Sequence, residues 1–89
     1  MREKIFVIED HFQIQGRGLI ITGKIEKNST RLKIGTPIIV SRPDGSEVET
    51  KIAGIEMCSP PNFEIEAILI LNLTKDDLPI GSSVFIHSN

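Results

Sequence analysis

The chain is poor in aromatic residues and in cysteine. It has no Trp, no Tyr and four Phe among 89 residues. This argues against a stacking platform for single-stranded nucleic acid, because such platforms are built from aromatic rings. The single cysteine, Cys58, excludes an internal disulfide and is typical of a reducing compartment, so a cytoplasmic location is expected. With no second cysteine and no histidine at metal-ligand spacing, Cys58 is interpreted as a structural thiol.

Two further absences narrow the class of partner. No apolar run approaches the roughly 18 residues that a membrane-spanning helix needs, so no membrane partner is expected. A basic surplus is also missing, because 10 Lys and Arg stand against 12 Asp and Glu, for a formal net charge of −2. Free-standing nucleic-acid binders usually carry excess positive charge. No DNA partner is therefore expected, and RNA binding is weakened as a hypothesis.

No catalytic or metal-binding constellation is evident. Glu9 and Asp10 stand beside His11, but neighbouring residues on a strand point to opposite faces, which argues against joint acid–base work. The chain also lacks a phosphate-binding Gly-Lys-Ser/Thr motif, so we expect no GTP or GDP binding. The chain is therefore not expected to be an enzyme, and neither a metal nor a cofactor is expected.

Period-two alternation with many β-branched residues dominates the chain, and no segment shows a helical period over ten residues. Turn-forming residues separate six strand candidates. The candidates are Lys4–Ile14, Leu19–Glu26, Pro37–Ser41, Glu47–Met57, Phe63–Leu73 and Ser83–His87. The pattern predicts a single all-β domain over residues 1–89, a small closed antiparallel β-barrel of about six strands.

Three segments carry signals of local irregularity. In Lys4–Ile14, period-two alternation places Phe6, Ile8, Phe12 and Ile14 on one face. Asp10 falls on the same apolar stripe, which indicates either a barrel rim or a bulge. In Glu47–Met57 the apolar positions switch from even to odd numbers, which predicts a bulge or bend near Gly54. Thr74–Asp77 has the residues to cap a single helical turn.

Glycines mark the region around Arg17. Gly16 and Gly18 flank this arginine and are interpreted as positions of positive φ or close strand approach. Gly23 is predicted to make room for a neighbouring backbone or a tight bend. Arg17 itself is either ordinary surface charge or a contact to a phosphate or a partner carboxylate.

The opening hairpin carries a resemblance to a known family. The run Glu9–Glu26, EDHFQIQGRGLIITGKIE, closely resembles the first hairpin of the second domain of elongation factor Tu, a small β-barrel shared with other translational GTPases. Leu32–Gly35, Ala53–Met57 and Leu73–Leu78 resemble further motifs of that domain in the same order. The resemblance implies a stand-alone, translation-related binding module, with a tRNA 3′ end, a translation protein or a separate GTPase as partner.

The same resemblance implies a surface that binds an RNA 3′ end or a partner. Glu56 matches a family glutamate that faces a ribose hydroxyl of the terminal adenosine, and a carboxylate accepts hydrogen bonds from hydroxyls. Ile20 and Leu69 match apolar positions that pack against the adenine, and Arg17 completes the set. Alternatives stay open: Glu56 also fits a solvated residue or an ion pair with Lys24 or Arg17. Ile20 and Leu69 also fit plain core packing.

The departures from the family pattern bear on function. Cys58 and Ser59 stand where the family usually has an aromatic and a basic residue. Leu71 and Asn72 stand where it usually has Arg-Gly. Two cations that could contact RNA or another domain are therefore missing. The alternative function is a protein–protein or assembly module that kept the barrel and lost RNA binding.

Overall fold

In a computed structural model of the chain, residues 2–25, 32–56 and 65–87 are described. These residues form eight β-strands and no helix, so the all-β prediction is confirmed. In chain order the strands are β1 (Arg2–Val7), β2 (Asp10–Ile14), β3 (Gly18–Lys24), β4 (Pro37–Ser41), β5 (Glu47–Lys51), β6 (Gly54–Glu56), β7 (Ile65–Ile70) and β8 (Ser83–His87).

The strands form two four-stranded sheets. One sheet has the order β1-β8-β4-β5 and the other has the order β2-β3-β7-β6. All pairings are antiparallel, as predicted. The closed barrel is not confirmed, because the ladders end at β1 and β5 in one sheet and at β2 and β6 in the other.

The strand count exceeds six because two predicted strands each bend and pass from one sheet to the other. The Lys4–Ile14 candidate divides at Ile8 and Glu9 into β1 and β2. The Ile8 N–H donates to the Ser82 carbonyl oxygen at 2.8 Å, next to β8. The Glu9 N–H donates to the Thr22 carbonyl oxygen on β3, also at 2.8 Å. The N–H groups of these two consecutive residues thus form hydrogen bonds on the sides of different sheets.

The second bend lies at Ile52 and Ala53, between β5 and β6. The Ile52 N–H donates to the Thr36 carbonyl oxygen at 2.9 Å, and the Ala53 N–H donates to the Leu69 carbonyl oxygen on β7 at 2.8 Å. The bend comes immediately before Gly54, so the prediction of a bend near this glycine is confirmed.

The core fills the space between the sheets with apolar side chains, all of them aliphatic except Phe6. Burying each such side chain stabilises the fold by roughly 1.5–3 kcal/mol, and the branched Ile and Val fit the pleated surface of a strand. The core residues are Ile5, Phe6, Ile8, Leu19, Ile21, Ile38, Val40, Ile52, Ile68, Ile70, Leu78, Val84 and Ile86.

Gly23 marks the point where β3 lies closest to β1. A Cβ at this position would collide with the carbonyl oxygen of Val7 and with the ring of Phe6. Because one of these atoms belongs to the backbone, a side chain could not be accommodated by a rotamer change. The room that a glycine leaves is therefore what allows the two sheets to pack here.

The loop after β7 folds as a hydrogen-bonded turn rather than as a helix. The Asp77 carboxylate accepts hydrogen bonds from the Thr74 N–H at 2.8 Å and from the Thr74 hydroxyl at 3.2 Å, which is the capping pattern that the sequence indicated. The Arg42 Nε donates to the Asp77 carbonyl oxygen at 2.7 Å. This bond fastens the β4–β5 turn to the loop.

Some predicted features lie outside the described residues. They are the end of the second strand candidate at Glu26, the residues Met57, Cys58 and Ser59, and the start of the fifth candidate at Phe63. Within the described ranges, no helix is long and apolar enough to cross a membrane.

Candidate ligand-binding face

One face of the sheet β2-β3-β7-β6 points away from the core. Three of the four predicted binding residues lie on this face, and the fourth, Arg17, lies in the turn beside it. Residues directly opposite each other on antiparallel strands point to the same face. Phe12, Ile20, Leu69 and Gly54 are paired in that order across the four strands. We call the surface around this row the outer face. It makes Ile20 and Leu69 direct neighbours.

Glu56 lies on the outer face, one row further along β6. It pairs with Ala67 on β7, and Ala67 pairs with Thr22 on β3. Ala67 and Leu69 are two residues apart on one strand, so their side chains share a face. The Glu56 carboxylate is thus diagonal to Leu69, at the edge of the sheet, with 32% of its side chain exposed.

Arg17 and Glu56 form a two-point ion pair. The Nη1 atom of Arg17 lies 3.2 Å from Oε1 of Glu56, and Nη2 lies 3.3 Å from Oε2. The planar guanidinium matches both carboxylate oxygens at once. The two residues are 39 positions apart in the chain. The ion-pair alternative for Glu56 is therefore what the described residues show, with Arg17 as the partner.

The turn between β2 and β3 directs Arg17 towards Glu56. The Arg17 N–H donates to the Ile14 carbonyl oxygen at 3.0 Å, and Gly16 has a φ of 82°, which is typical of the third residue of a type II turn. Gly18 has a φ of 141°, and a Cβ there would lie 2.7 Å from the Ile70 carbonyl oxygen. Both glycines therefore allow the backbone conformation that directs the Arg17 side chain towards Glu56.

Leu69 is nearly covered although it belongs to the outer face. Its exposed fraction is 9%, whereas that of Leu71, two residues on, is 46%. A Cβ at Gly18 would lie 3.3 Å from Leu69 Cδ1, and a Cβ at Gly54 would lie 3.4 Å from Leu69 Cβ and Cδ2. The leucine side chain therefore packs between two glycines, which combines a packing role with a place in the candidate site.

Gly54 is not required by the backbone. Its φ lies outside the left-handed region, and a Cβ would meet only Leu69, at ordinary van der Waals distance. The position of the missing side chain is therefore bordered by Leu69. Together, Leu69, Gly54 and Glu56 make an apolar floor beside a carboxylate.

Phe12 is exposed on the outer face, where sequence reasoning did not place it. Period-two alternation put it on one face with Phe6 and Ile8, but 46% of Phe12 is exposed while the other two are buried. That expectation is wrong because the bend at Ile8 and Glu9 shifts the phase of the alternation. Only knowledge of the bend would have revealed this outward aromatic residue.

Two other titratable residues of this sheet, Glu66 and His11, do not point to the outer face. Glu66 pairs with Gly23 and points to the opposite face of β7 from Leu69, and burial raises the pKa of its carboxyl group. His11 Nδ1 lies 3.0 Å from the Leu78 carbonyl oxygen, so the ring contacts the loop before β8. Among the described residues, no three His, Cys, Asp or Glu side chains converge as metal ligands.

No family model matches the chain. The resemblance to the second domain of elongation factor Tu therefore rests on the sequence motifs alone.

Proposed function

We propose that this domain is a non-enzymatic, cytoplasmic binding module that holds the 3′-terminal nucleoside of an RNA on its outer face. The observation that carries the proposal is the convergence of four residues that the resemblance selected from distant parts of the chain. Arg17 and Glu56 make an ion pair, and Ile20 and Leu69 are directly paired on the same face. A tRNA 3′ end is the partner that the resemblance implies, with a translation protein or a separate GTPase acting beside it.

The chemistry of the outer face suits a nucleoside. Ile20 and Leu69 offer an apolar surface for one side of a base, and Gly54 places no side chain of its own beside Leu69. The Glu56 carboxylate accepts hydrogen bonds from the hydroxyls of the ribose. Bonds of this kind to a charged acceptor are worth roughly 1.5–3 kcal/mol each, enough to discriminate a free 3′ end from a blocked one.

We also propose that the two sheets act as one six-stranded barrel. Each edge strand of one sheet continues into an edge strand of the other, since β1 leads to β2 and β5 leads to β6 through two residues each. If each bent pair is counted as one strand, all six strands have a neighbour on both sides. Slow amide hydrogen exchange at Ile8, Glu9, Ile52 and Ala53 would support this, and fast exchange there would argue for two separable sheets.

Asn72 supports the relation to the family. It has a φ of 68°, in the left-handed region that favours Gly and, after it, Asn. A glycine, which the family usually carries here, adopts this conformation without strain.

The proposal is tested by fluorescence anisotropy with a short labelled RNA that ends in cytidine, cytidine, adenosine. Matched RNAs carry a 3′-phosphate or a 3′-deoxyadenosine. We expect tighter binding of the free 3′ end than of either blocked end. If Arg17 makes a single phosphate contact, that contact should make log K fall with log salt at a slope of about −0.7. Equal binding of all three RNAs would refute the proposal.

A protein–protein interface is the second candidate for the same face. Phe12 and Leu71 are each 46% exposed, and Leu71 replaces a family cation with an apolar side chain. An apolar interface responds little to salt, in contrast to phosphate contacts. Salt-independent self-association or partner binding that is lost in Phe12→Ser, together with no RNA preference, would favour this function over the first.

A further inference from the structure

The ion pair between Arg17 and Glu56 engages the carboxylate that the proposed function assigns to the ligand. The two guanidinium nitrogens each face one carboxylate oxygen, at 3.2 and 3.3 Å. A ribose hydroxyl that takes the position of either guanidinium nitrogen at Glu56 must therefore displace Arg17. The affinity for such a ligand therefore depends on whether the Arg17 guanidinium finds a new partner once it has left Glu56.

The ion pair also crosses the apolar floor. Leu71 lies beside Gly18, because a Cβ at Gly18 would be 3.1 Å from Leu71 Cδ2. Leu69 is the next residue along β7 on the same face. Ala67, which pairs with Glu56, is the one after that. The line from Arg17, just before Gly18, to Glu56 therefore passes over Leu69. Leu69 is only 9% exposed, so a base that reaches it along this line has to move the pair aside.

The pair is loose enough to be exchanged. The domain contains a second ion pair, in which the Arg2 nitrogens lie 2.6 and 2.9 Å from the two Glu47 oxygens. Hydrogen bonds between a guanidinium and a carboxylate are usually about 2.7–2.9 Å long, so the Arg17 pair is longer than usual. Half of the Arg17 side chain, 52%, is exposed to water, and pairs at such positions contribute little to stability.

We propose that Arg17 determines specificity for a nucleoside that carries both a free cis-diol and a 5′-phosphate. Such a ligand separates the pair and gives each member a new partner: the hydroxyls donate to Glu56, and the guanidinium donates to the phosphate. A neutral ligand with the same diol breaks the pair and leaves Arg17 without a carboxylate or phosphate. This inference rests on the proposed function. It adds that the 5′-phosphate of the terminal nucleoside is recognised by Arg17.

The test uses two RNAs ending in cytidine, cytidine, adenosine with a free 3′ end. They differ at the last internucleotide linkage, which is either a natural phosphate or an uncharged methylphosphonate. The proteins are the natural chain, Arg17→Met, which keeps an unbranched stem without the charge, Arg17→Lys, which keeps the charge without the fork, and Arg2→Met, which breaks the other ion pair. Circular dichroism checks that each variant is folded.

We expect the natural chain and Arg2→Met to bind the phosphate RNA roughly two- to fivefold more tightly than the methylphosphonate RNA, the range of exposed charge pairs. Arg17→Met should bind both RNAs equally, and the methylphosphonate RNA about two- to fivefold more tightly than the natural chain does. Arg17→Lys should retain part of the preference for phosphate. A merely structural role for Arg17 would instead weaken the binding of both RNAs.

The outcomes separate this inference from the function on which it rests. If the natural chain prefers the free 3′ end but Arg17→Met still distinguishes the two linkages, Arg17 does not read the phosphate, and only this inference is overturned. The same holds if Arg17→Met gains no affinity for the methylphosphonate RNA. If the natural chain shows no preference for a free 3′ end, the proposed function fails first and this inference fails with it.

Discussion

Leu69 on β7 pairs directly with Gly54 on β6, and its side chain occupies the space beside that glycine. On its other flank Leu69 pairs with Ile20. The leucine therefore packs against both neighbouring strands, β3 and β6, while facing away from the core. A single side chain thereby contributes both to the cohesion of the sheet and to the floor of the candidate site.

Replacing Leu69 should cost stability before it affects any ligand. Because the side chain is only 9% exposed, we expect Leu69→Ala to lower the free energy of unfolding by roughly 2–5 kcal/mol. The urea midpoint, followed by circular dichroism, measures this. Leu71→Ala is the matched control, since the exposed Leu71 should cost much less. Equal midpoints for the two variants would mean that Leu69 is not packed as described.

Two glycines of the same sheet should differ sharply in their tolerance of a methyl group. Gly23→Ala drives a Cβ into the backbone of Val7, so we expect a loss of roughly 3 kcal/mol or a failure to fold. Gly54→Ala adds only an ordinary contact with Leu69 and should leave the thermal midpoint nearly unchanged. A stable Gly23→Ala variant would contradict the close approach of β3 to β1.

Glu66 should make the fold less stable at neutral pH than at acid pH. Burial raises the pKa of its carboxyl group in the folded state above the ordinary value, so the folded protein favours the protonated form. Its stabilising contribution is full below the pKa of the unfolded chain and is lost as pH rises through the higher folded pKa. Glu66→Gln should therefore raise the urea midpoint at pH 7 and change it little at pH 3.5.

The matched control for Glu66 is the exposed Glu49 on β5. Glu49→Gln should shift the midpoint little at either pH, because the side chain is exposed and substitutions at exposed positions usually have small effects. A gain from Glu66→Gln that is as large at pH 3.5 as at pH 7 would show that the side chain acts through packing and not through ionisation.

The sequence was sufficient to locate the strands but not the bends at which two of them pass from one sheet to the other. The candidates Pro37–Ser41 and Ser83–His87 coincide with β4 and β8, because turn residues bound short apolar runs there. The bend at Ile8 and Glu9 has no glycine or proline to announce it. It follows from a long-range hydrogen bond between Ile8 and Ser82, and local pattern carries no information about such a partner.

In the candidate site, too, local sequence pattern does not predict the contacts between residues that are distant in the chain. The pairing of Ile20 with Leu69 and the contact of Arg17 with Glu56 join segments that no periodicity connects, and the resemblance alone grouped them. Phe12 was assigned to the wrong face because alternation was carried through a bend. Residues whose place depends on strand register are thus the ones that sequence pattern leaves undetermined.

Glu56 provides the most direct test of an inherited RNA-binding role. Glu56→Gln keeps the shape of the side chain and removes its charge, so the hydrogen bonds that it accepts from a ribose lose roughly 1.5 kcal/mol or more. Binding of an RNA ending in cytidine, cytidine, adenosine should weaken about tenfold, the equivalent of that energy. Stability should change little, because the pair with Arg17 is partly exposed.

A 3′-deoxyadenosine end completes a double-mutant cycle with this variant. Against the natural chain, the loss of the 3′-hydroxyl should weaken binding to a similar extent as Glu56→Gln does. Against Glu56→Gln the same loss should have almost no effect, because the carboxylate that accepted the bond is already gone. Additive losses would show that Glu56 and the hydroxyl act independently. The outer face would then be better explained as a protein interface, to which Phe12 and Leu71 contribute exposed apolar surface.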